Sequence, residues 1–176
     1  MEIMNYSKVS IDINNIDLIV LDFDGVLTDN YVYVDSSGNE TVRCNRSDGL
    51  AFDVLRKLNK KVVILSTEKN KVVNARAEKL KVDVFNGVNE KDVELKLYCK
   101  KSGFSLKKVL YVGNDINDYL SMQLCGYSMC PSDSHKDIKQ ISNVVLKSSG
   151  GNGVIREILE ETMGINFIKV LSNREK

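Results

Sequence analysis

The sequence has no Cys-x-x-Cys pair, and its only histidine, His135, is not spaced near any of the four cysteines, Cys44, Cys99, Cys125 and Cys130. A zinc cage of thiolates and imidazoles is therefore excluded, and the thiols read as reduced packing or surface groups. An excess of either charge is also missing: 25 basic residues stand against 24 acidic ones, for a formal +1. No global field draws the chain to nucleic acid or to an anionic membrane, so any anion it binds must be held locally. There is no apolar run of membrane-spanning or signal-peptide length. Residues 1–15 mix Glu2, Lys8 and Asp12 among their apolar side chains, and cytoplasmic residence is the expectation. Internal repeats, low-complexity tracts and long linkers are lacking too, and the single proline falls in a loop. The length, 176 residues, suits one α/β domain with a full core rather than two domains.

What is present alternates. Residues 16–21 form a short apolar run that stops at two carboxylates, as a buried parallel strand does. Residues 31–34 and 40–44 favour β-structure and flank turn-forming residues 35–39, which predicts a hairpin inserted directly after the first strand. Asp48 is placed to cap a helix with Leu50, Val54, Leu55 and Leu58 on one face, followed by a strand at 61–65. The rhythm then repeats: Val73, Ala77 and Leu80 on a helix, a strand at 82–85, Val93 and Leu97 on a helix, a strand at 109–112. A helix at 116–124, short strands at 127–130 and 143–146, and a helix at 154–161 after Gly150-Gly151-Asn152-Gly153 complete the chain. Such alternation predicts a Rossmann-like α/β fold, a doubly wound parallel sheet with helices on both faces.

The polar residues fall just past the strand ends. Asp22 and Asp24 follow the first strand, Ser66 and Thr67 the next long one, and Asn114, Asp115 and Asp118 a later one. In an open parallel sheet those ends share one edge, where ligands bind, so residues distant in sequence should converge. Side-chain oxygens without histidine or thiolate suit a hard cation such as Mg²⁺, which keeps several waters and takes phosphate oxygens as further ligands. Beside it a carboxylate can attack phosphorus and pass through an aspartyl-phosphate. Asp22, ending the strand, is the nucleophile candidate. Asp24 is placed to protonate the leaving oxygen and then activate water. Ser66 can donate to a phosphoryl oxygen and Lys91 can offset the charge of the transferring group, while Asn114, Asp115 and Asp118 complete a metal region with Asp22 and Asp24. Ser66 and Thr67 could also cap the following helix, a role compatible with holding phosphate at a helix amino terminus.

Asp22-Phe23-Asp24-Gly25-Val26-Leu27-Thr28-Asp29, Ser66, Lys91 and Gly113-Asn114-Asp115-Ile116-Asn117-Asp118 resemble, in order and spacing, the four motifs of the haloacid dehalogenase (HAD) superfamily. The resemblance sharpens to the capless, tetrameric branch that hydrolyses 3-deoxy-octulosonate 8-phosphate or nonulosonate 9-phosphate, and it covers residues 16–165. It implies a Mg²⁺-dependent phosphatase for a phosphorylated sugar acid, a homotetramer built on the hairpin at 31–44, and a substrate loop containing Asn45, Arg46 and Ser47. It further implies that Glu68, Arg76 and Lys79 face the substrate, with Glu68 favouring a nine-carbon sugar acid. The organisation expected is an extension over residues 1–15, the catalytic domain over 16–165 without a cap, and a tail over 166–176 that closes over the site. The family usually has aspartate where this chain has Asn114, which lowers the charge offered to a cation. Similar asparagine-containing sequences occur beside sialic acid cytidylyltransferases, so a weakly active or non-catalytic oligomerisation module is the alternative reading. A phosphotransfer receiver, which also gathers acids at strand ends, has its conserved groups in a different order.

Overall fold

The computed structural model describes residues 11–172. Its elements run β1 (Leu18–Leu21), β2 (Thr28–Val34), β3 (Glu40–Cys44), α1 (Arg46–Lys57), β4 (Lys61–Leu65), α2 (Lys71–Leu80), β5 (Asp83–Phe85), α3 (Lys91–Ser102), β6 (Val109–Val112), α4 (Tyr119–Leu124), β7 (Tyr127–Cys130), α5 (Lys136–Ile141), β8 (Val144–Val145), α6 (Val154–Glu157) and α7 (Phe167–Ser172). Six strands form one sheet in the order β5-β4-β1-β6-β7-β8, and every neighbouring pair is parallel. β2 and β3 make a separate antiparallel hairpin.

All four residues of β1 and of β6 are buried, because helices cover both faces of the sheet. Alternate side chains go to opposite layers, as the two-residue strand period requires. Ile19, Leu21, Ile64, Leu110 and Val112 pack with Phe52 of α1, Val73 of α2 and Ile155 of α6. Leu18, Val20, Val63, Leu65 and Tyr111 pack with Leu95 of α3, Met122 of α4 and Ile138 of α5. Each fully buried aliphatic side chain contributes roughly 1.5–3 kcal/mol, so the two layers hold the central strands rigidly at their ends. The chain winds outward from β1 to β4 and β5, then returns to lay β6 on the other side of β1, which puts the switch point of the sheet at β1.

Several local expectations need correction. Asn45, not Asp48, caps α1, its side chain accepting the Ser47 N–H, while Asp48 lies buried in the first turn. The buried face of α1 is Ala51, Phe52, Val54 and Leu55, and Leu50 is exposed. On α3 the expected stripe of Val93 and Leu97 faces outward; Lys91, Leu95 and Cys99 form the inner face. Two i, i+4 stripes compete on that helix, and packing against the sheet selects the one that carries Lys91. The helix expected at 116–124 is a 3₁₀ turn, Ile116–Asp118, leading into α4. The helix expected at 154–161 is α6 followed by a π-helical turn, Ile158–Thr162. α5 and α7 had no expected counterpart. Of the amino-terminal extension, residues 1–10 lie outside the described residues, while Ile11, like Ile16 just beyond the extension, is buried in the layer beneath α1. No helix among the described residues is long and apolar enough to cross a membrane.

Candidate active site

A crevice of about 300 Å³ opens over the carboxyl ends of β1, β4 and β6. Its floor includes Asp22, Asp24, Thr67, Glu68 and Asn114, Asp115 stands at its rim, and its wall is Asn30, Val32, Glu40 and Val42 of the hairpin with Asn70, Val72 and Val73 at the start of α2. The backbone explains why the floor is so tight. Gly25 has φ +76°, and a Cβ there would lie 1.9 Å from the Asn114 amide nitrogen. The carboxyl-terminal glycine loop is tight in the same way: a Cβ on Gly150 would strike the Gly25 carbonyl oxygen at 2.3 Å, so this loop is packed backbone rather than a slack connection.

Asp22 is buried, and one of its oxygens is pinned. Oδ1 accepts the Phe23 N–H at 2.7 Å and lies 2.8 Å from Lys91 Nζ. Burial, and after it the neighbouring Asp118, push its carboxyl well above the ordinary carboxylate range, against the pull of Lys91 and of the Phe23 N–H. Lys91 is itself fully enclosed. Burial alone would depress its ammonium, but Asp22 and Asp118 together hold it above the usual lysine value. Asp24, two residues on and half-buried, is also raised, chiefly by burial and further by Glu68 and Glu40, while the Thr28 hydroxyl opposes the shift by donating to Asp24 Oδ1 at 3.3 Å.

Asp118, expected among the metal ligands, is placed otherwise. Its Oδ1 accepts from Lys91 Nζ and the Tyr111 hydroxyl, both at 2.8 Å, and its Oδ2 accepts from the backbone N–H of Asn114 at 2.9 Å and of Asp115 at 3.3 Å. With its lone pairs so occupied and no exposed surface, Asp118 fixes Lys91 and the Asn114 loop instead of facing a cation. Tyr111 escaped the sequence reading; the signal was a hydroxyl in an otherwise apolar buried strand, which must find a partner. Burial, then Asp118, keep that phenol protonated by raising it well above its normal range.

The remaining expected residues divide. Ser66 is buried at the end of β4, its oxygen accepting the Glu68 N–H at 3.1 Å and its hydrogen left to donate. Asp115 stands exposed at the rim, its carboxylate accepting the Ile116 N–H. Glu68 lines the crevice, whereas Asn45, Arg46, Ser47, Arg76 and Lys79 are not among its lining residues. Asn45 and Ser47 are occupied with capping α1, Arg76 donates to the Asn45 carbonyl at 2.7 Å, and Arg46 and Lys79 are exposed. The reason is geometric: α2 leaves the crevice at Asn70, and at about 1.5 Å per residue it carries Arg76 and Lys79 roughly 9 and 13 Å away along its axis. Glu40 and Asn70, by contrast, join across the wall, Asn70 Nδ2 donating to Glu40 at 2.6 Å. No local pattern marks that pair, since it depends on how the hairpin folds back.

Among the described residues no three acidic, thiol or imidazole side chains gather as a metal cage. The convergence here has another composition: the Asp22 carboxylate, the Asp24 backbone carbonyl and the Asn114 carboxamide. The inward atom of that amide lies 3.2 Å from Asp22 Oδ2 and 2.8 Å from the Asp24 carbonyl oxygen. When it is the oxygen that points inward, three oxygens meet with no proton between them. That donor set fits a hard cation that retains waters, as Mg²⁺ does.

The model of the haloacid dehalogenase-like hydrolases matches residues 55–158, and the chain belongs to that family. The 3-deoxy-D-manno-octulosonate 8-phosphate phosphatase of Salmonella typhi is 31% identical over 147 residues, 83% of this chain and 78% of the relative. A HAD family hydrolase from Streptomyces avermitilis superposes with a TM-score of 0.87 at 41% identity, covering 91% of this chain and 98% of that one. The Moraxella catarrhalis 3-deoxy-D-manno-octulosonate 8-phosphate phosphatase, solved with a magnesium ion, a phosphate ion and the octulosonate, superposes with a TM-score of 0.81 at 26% identity over 97% of this chain and 95% of that one. The chain is thus an enzyme of the hydrolase type, similar over most of its length to phosphatases of a sugar-acid phosphate.

Proposed function

We propose that this protein is a Mg²⁺-dependent phosphomonoesterase that hydrolyses the terminal phosphate of an eight- or nine-carbon sugar acid through an aspartyl-phosphate. The observation that carries the reading is the state of Asp22: one oxygen is fixed by the Phe23 N–H and Lys91, and the other faces Asn114 at the floor of the crevice. Lys91 and a bound cation would favour its ionised form against burial, and a carboxylate held in this way attacks phosphorus with little reorganisation. Asp24, half-buried and with its carboxyl raised chiefly by burial, is placed two residues on to give a proton to the departing sugar oxygen as the P–O bond to the sugar breaks. The Asp24 carboxylate then takes a proton from water, the water oxygen attacks the aspartyl-phosphate, and phosphate leaves with Asp22 restored. Lys91 and the Ser66 hydroxyl offset the negative charge of the transferring group. Asp22 Oδ2, the Asp24 carbonyl and Asn114 Oδ1 would hold the cation, with Asp115 at the rim; when bound, Mg²⁺ supplies Lewis-acid stabilisation of phosphoryl charge.

Glu68 lines the crevice, and the resemblance of its segment to the nonulosonate branch supports a nine-carbon substrate over the octulosonate phosphate on which the curated relatives are named. Arg46, Arg76 and Lys79 retain a role toward the substrate carboxylate only if subunits assemble so that such cations meet the crevice of a neighbour, which a cytoplasmic homotetramer joined through its hairpins would allow. The test is a phosphatase assay on octulosonate 8-phosphate and nonulosonate 9-phosphates, each with and without Mg²⁺, using wild type and Asp22→Asn. Wild type should release phosphate only with the cation, and Asp22→Asn should lose at least about 10³-fold in kcat with an unchanged circular dichroism spectrum. Turnover retained in the variant would refute the assignment of the nucleophile.

A further inference from the structure

The Asn114 carboxamide sets one atom against two acceptors, Asp22 Oδ2 and the Asp24 carbonyl oxygen, and whether oxygen or nitrogen takes that place changes what the site satisfies. With Oδ1 inward, the oxygen meets only acceptors and the nitrogen only donors. Turned half a revolution, the NH₂ donates to Asp22 Oδ2 at 3.2 Å and to the Asp24 carbonyl at 2.8 Å, and the outward oxygen finds donors. The nitrogen then bridges the same two oxygens that a cation would bridge.

We propose that the Asn114 carboxamide is a two-position group, standing in for the cation with its own NH₂ when none is bound and rotating to present Oδ1 when one binds. The inference rests on the cation-dependent reading above and concerns how this chain accommodates an ion-free site. Three features permit the rotation without moving the backbone. The Asn114 N–H is held by Asp118 Oδ2 and its carbonyl by the His135 N–H at 2.9 Å. Carboxamide oxygen and nitrogen are nearly equal in size, so exchanging them displaces no neighbour. Gly25 leaves room for the outward half of the amide, since a Cβ there would come within 1.9 Å of it.

An aspartate at this position could not do the same. Both oxygens of its ionised form are acceptors, so in an ion-free site that form would set two carboxylates and a carbonyl against one another. Asparagine gives a satisfied ion-free site at the expense of cation affinity, which falls twice over: the ligand is neutral, and two hydrogen bonds must break before Oδ1 can turn inward.

The test uses the full chain without substrate. Protein carrying ¹⁵N in its asparagine side chains is titrated with Mg²⁺ while calorimetry follows binding independently. The Asn114 NH₂ pair should exchange slowly with solvent in the ion-free protein, and both its shift and its protection should change in proportion to bound Mg²⁺. Asn114→Asp should bind Mg²⁺ at least about tenfold more tightly, and it should melt below wild type in chelator and gain more than wild type from added Mg²⁺. Should calorimetry detect Mg²⁺ binding while the Asn114 pair stays unchanged, or should Asn114→Asp bind no more tightly, the two-position amide is overturned and the phosphatase reading stands. Absence of Mg²⁺ binding to either protein overturns both. The wild-type titration needs no variant, so misfolding of Asn114→Asp would not remove the test.

Discussion

Asp48 sits in the first turn of α1, buried, with Oδ1 accepting the N–H groups of Ile155 at 3.0 Å and Arg156 at 3.2 Å and with Oδ2 lacking a partner. It ties α1 to the start of α6 and so holds the glycine loop against Gly25. Burial pushes its carboxyl up to about 6, although the two N–H groups and Arg76 act the other way. In the unfolded chain the group titrates near 4. The protonated form is therefore favoured by folding: the contribution is full below about pH 4 and is lost as pH rises through about 6, a decline on the order of 3 kcal/mol. Asp48→Asn keeps an acceptor and removes the charge. Thermal midpoints of the two proteins measured from pH 4 to pH 8 should diverge in favour of the variant as pH rises, and a constant difference would show that the carboxylate is not the disfavoured species. Residue placement was legible in the sequence where a polar side chain follows a strand end, as at Asp22, Asp24 and Asn114, which all line the crevice. The structure shows Asp48 and Asp118 to be internal ties whose neighbours come from distant segments, and nothing in their own surroundings in sequence marks them so.

At the scale of elements, α7 is a test of whether the tail is scaffold or closure. Phe167 is buried in the layer beneath α1, the Arg156 guanidinium lies 5.3 Å above its ring, and Lys57 Nζ donates to the carbonyls of Val170 and Leu171. Ending the chain after Gly164 should therefore lower unfolding free energy by about 2–3 kcal/mol, the burial of one phenylalanine, read as a lower urea midpoint. An altered rate with an unchanged midpoint would instead mark the tail as a lid alone. The strands were readable because a parallel sheet covered on both sides demands short continuous apolar runs. Helix faces were less so: on α3 the pairs Val93 with Leu97 and Leu95 with Cys99 fit the period equally, and only the sheet beneath decides between them.

For the whole molecule, the hairpin of β2 and β3 stands apart from the six-stranded sheet and exposes Tyr31, Val32, Tyr33 and Val34 in succession. Such an exposed apolar strand calls for a partner surface, and the proposed homotetramer supplies one. Tyr33→Asp should reduce the molar mass measured by light scattering from four chains toward one or two, with the circular dichroism spectrum of the remaining species unchanged because this side chain, 64% exposed, contributes no core. A variant that stays tetrameric would place the subunit contact elsewhere. The amino-acid sequence by itself determined the alternation of strands and helices, the hairpin and the set of oxygen-bearing residues, since these follow from local periodicity and from which residue ends each strand. Tertiary structure alone decided that Asp118 turns inward to Lys91 and Tyr111, that Arg76 and Lys79 are carried away from the crevice, and that the Asn114 amide lies between Asp22 and the Asp24 carbonyl. Those outcomes depend on distances between segments far apart in the chain, which packing sets.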